Sequence, residues 1–530
     1  MKKTGFLAGL TGIAASLLVI SSVGSGIANK WRSNIDAVLG TESYRAVSDP
    51  GSSRFKSDYA TTADYVKASK RLSEREGEEG TVILKNDNGA LPLKDKTKKI
   101  ALFGNAAYKP YMQSAGDLRA GNADKVDLDS AFEKAGYTLE PTLKGIYGKM
   151  LSTDYATTKS FFGNTTITYW FGLQASPGDM TDYKINEVPT TAWQEDIALS
   201  KYDEKNTGTV KFASEGWEKS IVKDETVGVV VFGRGAGESN TYKPGSALNW
   251  KGEATGKDPL ELSDDELQIV DKAKALCSKV VVLLNTGNAM NIGAIAKGGE
   301  HEVDAIAYMG VLNDYQATGI VNVLTGKVNA TGALSDTYAK NWESLPAMQN
   351  FGGDEYADAS IAERVAGTAS EDTTRWPGVS IQNGQNSSFG GGKANYSGAS
   401  YYVEAEGIYI GYQYYETRYF DSVANSSFKA DSKKGSTNGG AWKYSDEVIY
   451  PFGYGLSYLP YTQEIKELKV DKVNDGNITA TITIHNKGNE DGKFLGQLYV
   501  NAPYTDYDKE NLVEKSAVQF LNSAKVDVKA

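Results

Sequence analysis

Five short, unbroken apolar runs, each stopped by a glycine-bearing turn, constrain this chain more than any other feature. Thr81–Lys85 runs into Asn86-Asp87-Asn88-Gly89 and Lys99–Phe103 into Gly104. Val227–Phe232 is followed by Gly233-Arg234-Gly235, Val280–Leu284 by Asn285-Thr286-Gly287, and Asp304–Met309 by Gly310. Runs of this length bounded by turn residues read as buried strands. Helical patterns separate them, clearest over 263–273, where Ser263 and Glu266 have the spacing of a capping box. Alternation of this kind predicts a three-layer α/β/α sandwich around a mostly parallel sheet covered on both faces. Glycine loops that follow such strands belong at the carboxyl edge, where open α/β sheets bind ligands.

From about residue 463 the period changes to two. Asn477–Ile484 alternates, Asn486-Lys487-Gly488-Asn489 turns, and Gln497–Val500 resumes. This predicts a partial antiparallel β-sandwich of roughly four or five strands, short of the roughly seven that such a module uses. The stretches 150–220 and 340–400 are rich in Tyr, Gly, Ser and Asn and show little periodicity. They read as long insertions or flanking loops near the binding edge, or as disorder. The expected division is 1–30 leader or anchor, 31–79 helical lead-in starting near Thr62-Ala63-Asp64-Tyr65, 80–460 α/β sandwich, and 461–530 incomplete β-sandwich.

A chain of 530 residues is too long for one compact core, in keeping with this division. Its net charge of −11 argues against binding the phosphate backbone of nucleic acid. One Cys and two His exclude a Cys/His zinc cluster, an iron–sulfur site and an internal disulfide. Cys277 reads as a small buried apolar residue. The 32 tyrosines in an acidic chain suit neutral polar ligands such as sugars, although many tyrosines simply pack half-buried.

Met1-Lys2-Lys3 precedes an uncharged segment, Thr4–Asn29, with Lys30 and Arg32 beyond it. This reads as a secretory signal, or as an anchor, being near the ~20 residues a bilayer requires. The expectation is a protein secreted, or anchored to the outside of the cell membrane.

Several segments together resemble glycoside hydrolase family 3, the β-glucosidase-like enzymes. They are Glu79–Asn86, Leu91-Pro92-Leu93, Val229–Glu238, Val281–Asn288, Val323–Asn329, Glu406–Tyr412 and, most specific, Pro451–Tyr458. The order is that of the family's α/β-sandwich domain followed by its fibronectin-III-like module, and the lead-in resembles the permuted members, in which a (β/α)8 barrel comes last. The resemblance implies a retaining glycosidase that removes a terminal β-linked sugar from the non-reducing end. It places the acid/base Glu at Glu238 and the nucleophile Asp on the barrel, normally in the same polypeptide. No Ser-Asp-Trp or Lys-His-Phe motif of that barrel occurs here, and His301 and His485 lie elsewhere. Gln113-Ser114-Ala115-Gly116 stands where the family carries a denser glycine loop. Pro451–Tyr458 reads as a linker whose aromatics seat the two domains together.

Retention requires two carboxyl groups about 5–5.5 Å apart. Glu238 lies in a loop with glycines at 233, 235 and 237, which let the backbone turn its carboxyl away from the sheet. Without the resemblance, a solvated surface Glu in a Gly-rich turn is the more ordinary reading. Arg234 is a candidate to hydrogen-bond substrate or the second carboxylate, or to form a structural ion pair. Tyr242 is a candidate to stack on a sugar at the leaving-group side, or to pack within its loop. Gly233–Gly237 also has the look of a dinucleotide loop, but Ser239–Trp250 does not start a helix, so this is rejected. The chemistry needs no metal or organic cofactor. The alternatives to a hydrolase half are a non-catalytic carbohydrate-binding module and a truncated gene product.

Overall fold

The computed structural model describes residues 57–111, 125–152, 157–161, 164–168, 187–201, 207–234, 247–341, 344–345, 384–387, 393–396, 406–424, 433, 436–470 and 478–530. The leader segment and the Gln113–Gly116 loop lie outside them. Residues 57–68 fall in one unit, in which Thr61 Oγ1 accepts from the Asp64 N–H at 3.1 Å and so caps the start of helix α1 (Thr62–Gly80). Among the described residues no helix is long and apolar enough to cross a membrane.

The other unit is built on a five-stranded sheet: β1 (Val82–Asn86), β2 (Lys99–Phe103), β3 (Thr226–Arg234), β4 (Lys279–Thr286) and β5 (Ala305–Tyr308). Its order is β1-β5-β4-β3-β2. Each of the five apolar runs is a strand. Val229–Phe232 and Val281–Leu284 are 0% exposed at every residue. Because successive side chains point to opposite faces, both faces of these strands are covered. Helix α4 (Asp264–Leu276) packs on β3 and β4, and α3 (Pro141–Ser152), which follows α2 (Leu128–Lys134), packs on β2. Cys277 lies against the Cα of Gly228, and burial pushes its thiol up to about 12.

Strands β2 to β5 are parallel, whereas β1 pairs antiparallel with β5. Its Asn86–Gly89 turn therefore lies at the opposite edge from the other four glycine turns. There the Asp87 N–H donates to Asp304 O at 2.8 Å, and Lys279, the first residue of β4, donates to the carbonyls of Asn88 and Gly89. Beside β1, α1 crosses α5 (Gln316–Leu324) at Gly77 and Gly319, where an added Cβ would strike the facing backbone. Asn322 Nδ2 donates to Glu78 Oε1 across this crossing at 2.8 Å.

Part of the aperiodic stretch 150–220 belongs to the core rather than to loops. Trp193 is fully buried, edge-on to Tyr147 and tilted against Trp217. Short 3-10 turns present these rings one at a time, and single anchors carry no periodic signal.

Beyond the sheet lie two antiparallel hairpins, β6 (Tyr461–Val470) with β7 (Ile478–Asn486), and β8 (Gly492–Val500) with β9 (Gln519–Val528). The linker reads as expected. Phe452 stacks on Tyr412 of α6 (Tyr412–Ala424) at 4.3 Å between centroids and meets Tyr499 and Phe520 of the second hairpin edge-on. The Tyr412 hydroxyl also accepts from the Phe520 N–H at 2.9 Å.

Candidate active-site edge

The carboxyl ends of β2, β3, β4 and β5 are tied into one edge by a few buried polar side chains. Gly104 ends β2 at φ 90°, and a Cβ there would collide with Val231 O, so glycine is required for β2 to stay beside β3. The Gly104 N–H donates to the Tyr147 hydroxyl at 2.7 Å. Asn285, fully buried at the end of β4, joins three loops. Its Oδ1 accepts from the Tyr111 N–H at 2.5 Å, and its Nδ2 donates to Tyr111 O at 3.1 Å and Gly310 O at 2.7 Å. The Tyr111 ring lies over Gly233, in space that a side chain at 233 would need.

Arg234 ends β3 with its side chain 1% exposed. Nη1 donates to Glu266 Oε1 at 2.6 Å and Nη2 to Glu266 Oε2 at 2.8 Å, a bidentate pair. Nε donates to Pro259 O at 2.5 Å, Nη1 to Gly233 O at 2.9 Å and Nη2 to Glu261 O at 2.6 Å. A guanidinium has five N–H groups, and these five bonds direct all of them to protein. Of the roles open to Arg234 from sequence, the structural ion pair is present, with Glu266 as its partner.

Glu266 is itself fixed by the capping box. Ser263 Oγ accepts from the Glu266 N–H at 3.2 Å, and Glu266 Oε2 accepts from the Ser263 N–H at 2.8 Å. Next to it, Asp265 accepts from the Trp250 N–H at 3.4 Å, and burial, reinforced by Glu266 and Asp264, pushes its carboxyl up to about 6. Glu187 completes the cluster. Its Oε1 accepts from the Asn105 N–H at 2.8 Å, while its buried Oε2 has no hydrogen-bond partner among the described residues. Burial raises the Glu187 pKa well above the usual carboxylate range, and Glu266 and Asp265 raise it further against the opposing pull of the Asn105 N–H and Arg234. Burial thus favours the neutral form of Glu187.

This neutrality has a measurable sign. An acid whose folded pKa is raised keeps its proton in the folded state above pH 4.5, where the unfolded chain has lost it. Its contribution to stability then falls as pH rises, by up to about 1.4 kcal/mol per unit, until the folded pKa is passed. Gln accepts from the Asn105 N–H without titrating. Glu187→Gln should thus gain on the natural chain as pH rises from 4.5 to 8, seen as a widening gap between their urea midpoints. A constant gap would mean that Glu187 is ionised when folded.

Glu238 and Tyr242 lie outside the described residues, which stop at Arg234 and resume at Ala247. His301 pairs with Asp271 at 2.8 Å, and His485 lies on β7. Asn285 and Glu266 fall within sequence segments already singled out, although their roles across the edge are not readable there. Glu187 and Trp250 carry no local signal. Among the described residues no group of acidic, His or Cys side chains could hold a metal ion.

The chain is similar to β-glucosidases in both sequence and fold. It is 27% identical over 430 residues to a β-glucosidase of Ruminococcus albus, covering 80% of this chain and 31% of that protein. It is 23% identical over 447 residues to β-glucosidase A of Butyrivibrio fibrisolvens, covering 80% and 40%. In fold it is similar to β-glucosidase 3B of Thermotoga neapolitana, solved with glucose, with a TM-score of 0.53 at 19% identity over 87% of this chain and 47% of that one. It is likewise similar to a β-glucosidase of Paenibacillus barengoltzii, with a TM-score of 0.54 at 19% identity over 87% and 36%. The chain thus spans less than half the length of these relatives. The model for the glycosyl hydrolase family 3 C-terminal domain matches residues 81–458, from the residue before β1 to the end of the linker. With that match covering most of the sequence and every strand of the central sheet, this chain belongs to the glycosyl hydrolase family 3 C-terminal domain family.

Proposed function

We propose that this chain supplies the general acid/base, Glu238, of a retaining glycoside hydrolase that removes terminal β-linked sugars from the non-reducing end of a glucoside or oligosaccharide. The nucleophile comes from a (β/α)8 barrel. The observation that carries the reading is the position of Arg234 as the last residue of β3, at the edge where parallel sheets bind ligands. The loop with Glu238 starts from that residue, inside the family match. Glu238 protonates the departing oxygen as the barrel carboxylate attacks the sugar, then removes a proton from the water that releases it. Asp265 accepts from the Trp250 N–H near where the described chain resumes, and negative charge there favours a protonated acid. Tyr242 lines the leaving-group side, and Arg234, paired with Glu266, stands at the strand end before Glu238. The apolar segment before Lys30 supports a site of action outside the cytoplasm, by secretion or anchoring.

One carboxyl group cannot carry out double displacement, because no glycosyl-enzyme intermediate can form without a nucleophile. These 530 residues alone are therefore expected to give no sustained turnover of an aryl β-glucoside. Turnover that Glu238→Ala abolishes would overturn the need for a barrel. Sugar binding that survives Glu238→Ala, with no activity when a barrel is supplied, would favour a non-catalytic carbohydrate-binding module.

A further inference from the structure

A groove of about 880 Å³ opens in the larger unit at the edge to which the reversed β1 carries its turn, away from the carboxyl ends of β2–β5. One wall belongs to the sandwich and is formed by the last turns of α1, the chain after β1, and the loop after α5. The other belongs to the hairpins and is formed by the turn from β7 to β8 and the end of β9.

Protein bonds hold the two walls together. Asn329, in the loop after α5, donates from Nδ2 to the Tyr461 hydroxyl at 3.2 Å, and its Oδ1 accepts from the Tyr458 N–H at 3.1 Å. Lys493 Nζ of β8 donates to Glu79 Oε1 of α1 at 2.7 Å. On the sandwich side, the Leu93 N–H donates to Leu324 O at 2.8 Å and so fixes the chain after β1 against the end of α5. A groove already held in shape spends little free energy on ordering itself around a ligand.

The side chains not engaged in this frame are of both signs. Lys94 and Lys327 on the sandwich wall, and Asn489 and Glu490 on the hairpin wall, make no side-chain hydrogen bond or ion pair among the described residues. The Lys94 side chain passes beside Gly326, the neighbour of Lys327, so the two ammonium groups share one stretch of wall. An anion would suit that stretch and be repelled by Glu490, and a cation would meet the reverse. A hydroxyl accepts from an ammonium and donates to a carboxylate, so a neutral polyol satisfies both walls. Pro92 and Leu459 add apolar surface for the C–H face of a sugar ring. The volume lies towards the upper end of the roughly 300–1,000 Å³ of small-molecule sites, which suits a short oligosaccharide better than a single sugar.

We propose that this groove between the sandwich and the hairpins binds a neutral oligosaccharide, at the edge of the sheet opposite Arg234. It is a holding site, separate from the carboxyl edge, and does not depend on Glu238 being the acid/base.

The test is isothermal titration of the full chain with cellotetraose, laminaritetraose and xylotetraose, and with inorganic phosphate. At least one of the three sugars should bind saturably. Lys327→Ala and Glu490→Ala each remove an exposed side chain without partners, so both should keep the natural urea midpoint. Each should weaken sugar binding by about tenfold, the loss of one hydrogen bond to a charged group. Glu238→Ala should leave it unchanged. An anion site would instead take up phosphate, losing it in Lys327→Ala and gaining affinity in Glu490→Ala. That pattern, saturable binding of none of the three sugars, sugar binding that either groove variant leaves intact, or its loss in Glu238→Ala would overturn the proposal. If Glu238 is not the acid/base, the failure appears in the activity of its variants, and these titrations stand.

Discussion

Glu238→Ala, in an assembly that includes the nucleophile-bearing barrel, is expected to slow cleavage of a methyl β-glucoside by about 10²–10⁴-fold, the usual contribution of general acid–base catalysis. The loss should depend on the leaving group. A dinitrophenolate departs without a proton, so glycosylation by a dinitrophenyl β-glucoside should stay within about tenfold of the natural rate. The second step still lacks its base. The glycosyl-enzyme then accumulates, and a burst of dinitrophenolate precedes a slow steady state. Azide, a nucleophile that needs no base, should restore turnover and give a β-glycosyl azide, because attack on the α-linked intermediate inverts it a second time. Equal losses for both leaving groups would assign Glu238 to binding or folding, and no loss for either would remove it from the site.

The second large effect lies in the buried Arg234–Glu266 pair. Arg234→Met leaves the Glu266 carboxylate, 0% exposed, without its cation. Breaking one partner of a buried pair typically costs about 3–5 kcal/mol, a large share of the roughly 5–15 kcal/mol that holds a domain folded. The carbonyls of Pro259, Glu261 and Gly233 lose their donors at the same time. Arg234→Met/Glu266→Leu should recover much of that loss, since an apolar pair carries no desolvation penalty. Urea unfolding of the natural chain, both single variants and the double variant gives the coupling directly. Single losses that simply add in the double variant would mean that the two side chains act independently.

Much of the fold can be read from short windows. Each central strand is a run of a few apolar residues, and the start of α4 is announced by Ser263 and Glu266 three positions apart. Such features depend on neighbours within a turn or a strand, so the chain states them locally. The aromatic linker is legible for a similar reason, with Tyr450, Phe452 and Tyr454 gathered in a few residues.

The direction of β1 is a different matter. Its apolar run looks like the others, and a strand buried among neighbours has the same composition whichever way it points. Its pairing with β5 reversed it and carried its glycine turn to the far edge.

What the sequence determined by itself was the alternation of strands and helices, the change of period near residue 463, and the candidate residues at the strand ends. Tertiary structure alone decided their partners. Arg234 meets a carboxylate 32 positions away, Glu187 reaches Asn105 across 82, and Asn285 reaches Tyr111 across 174. A buried charge must find an opposite charge or a hydrogen bond somewhere, but which one it finds depends on how the sheet edge brings distant loops together.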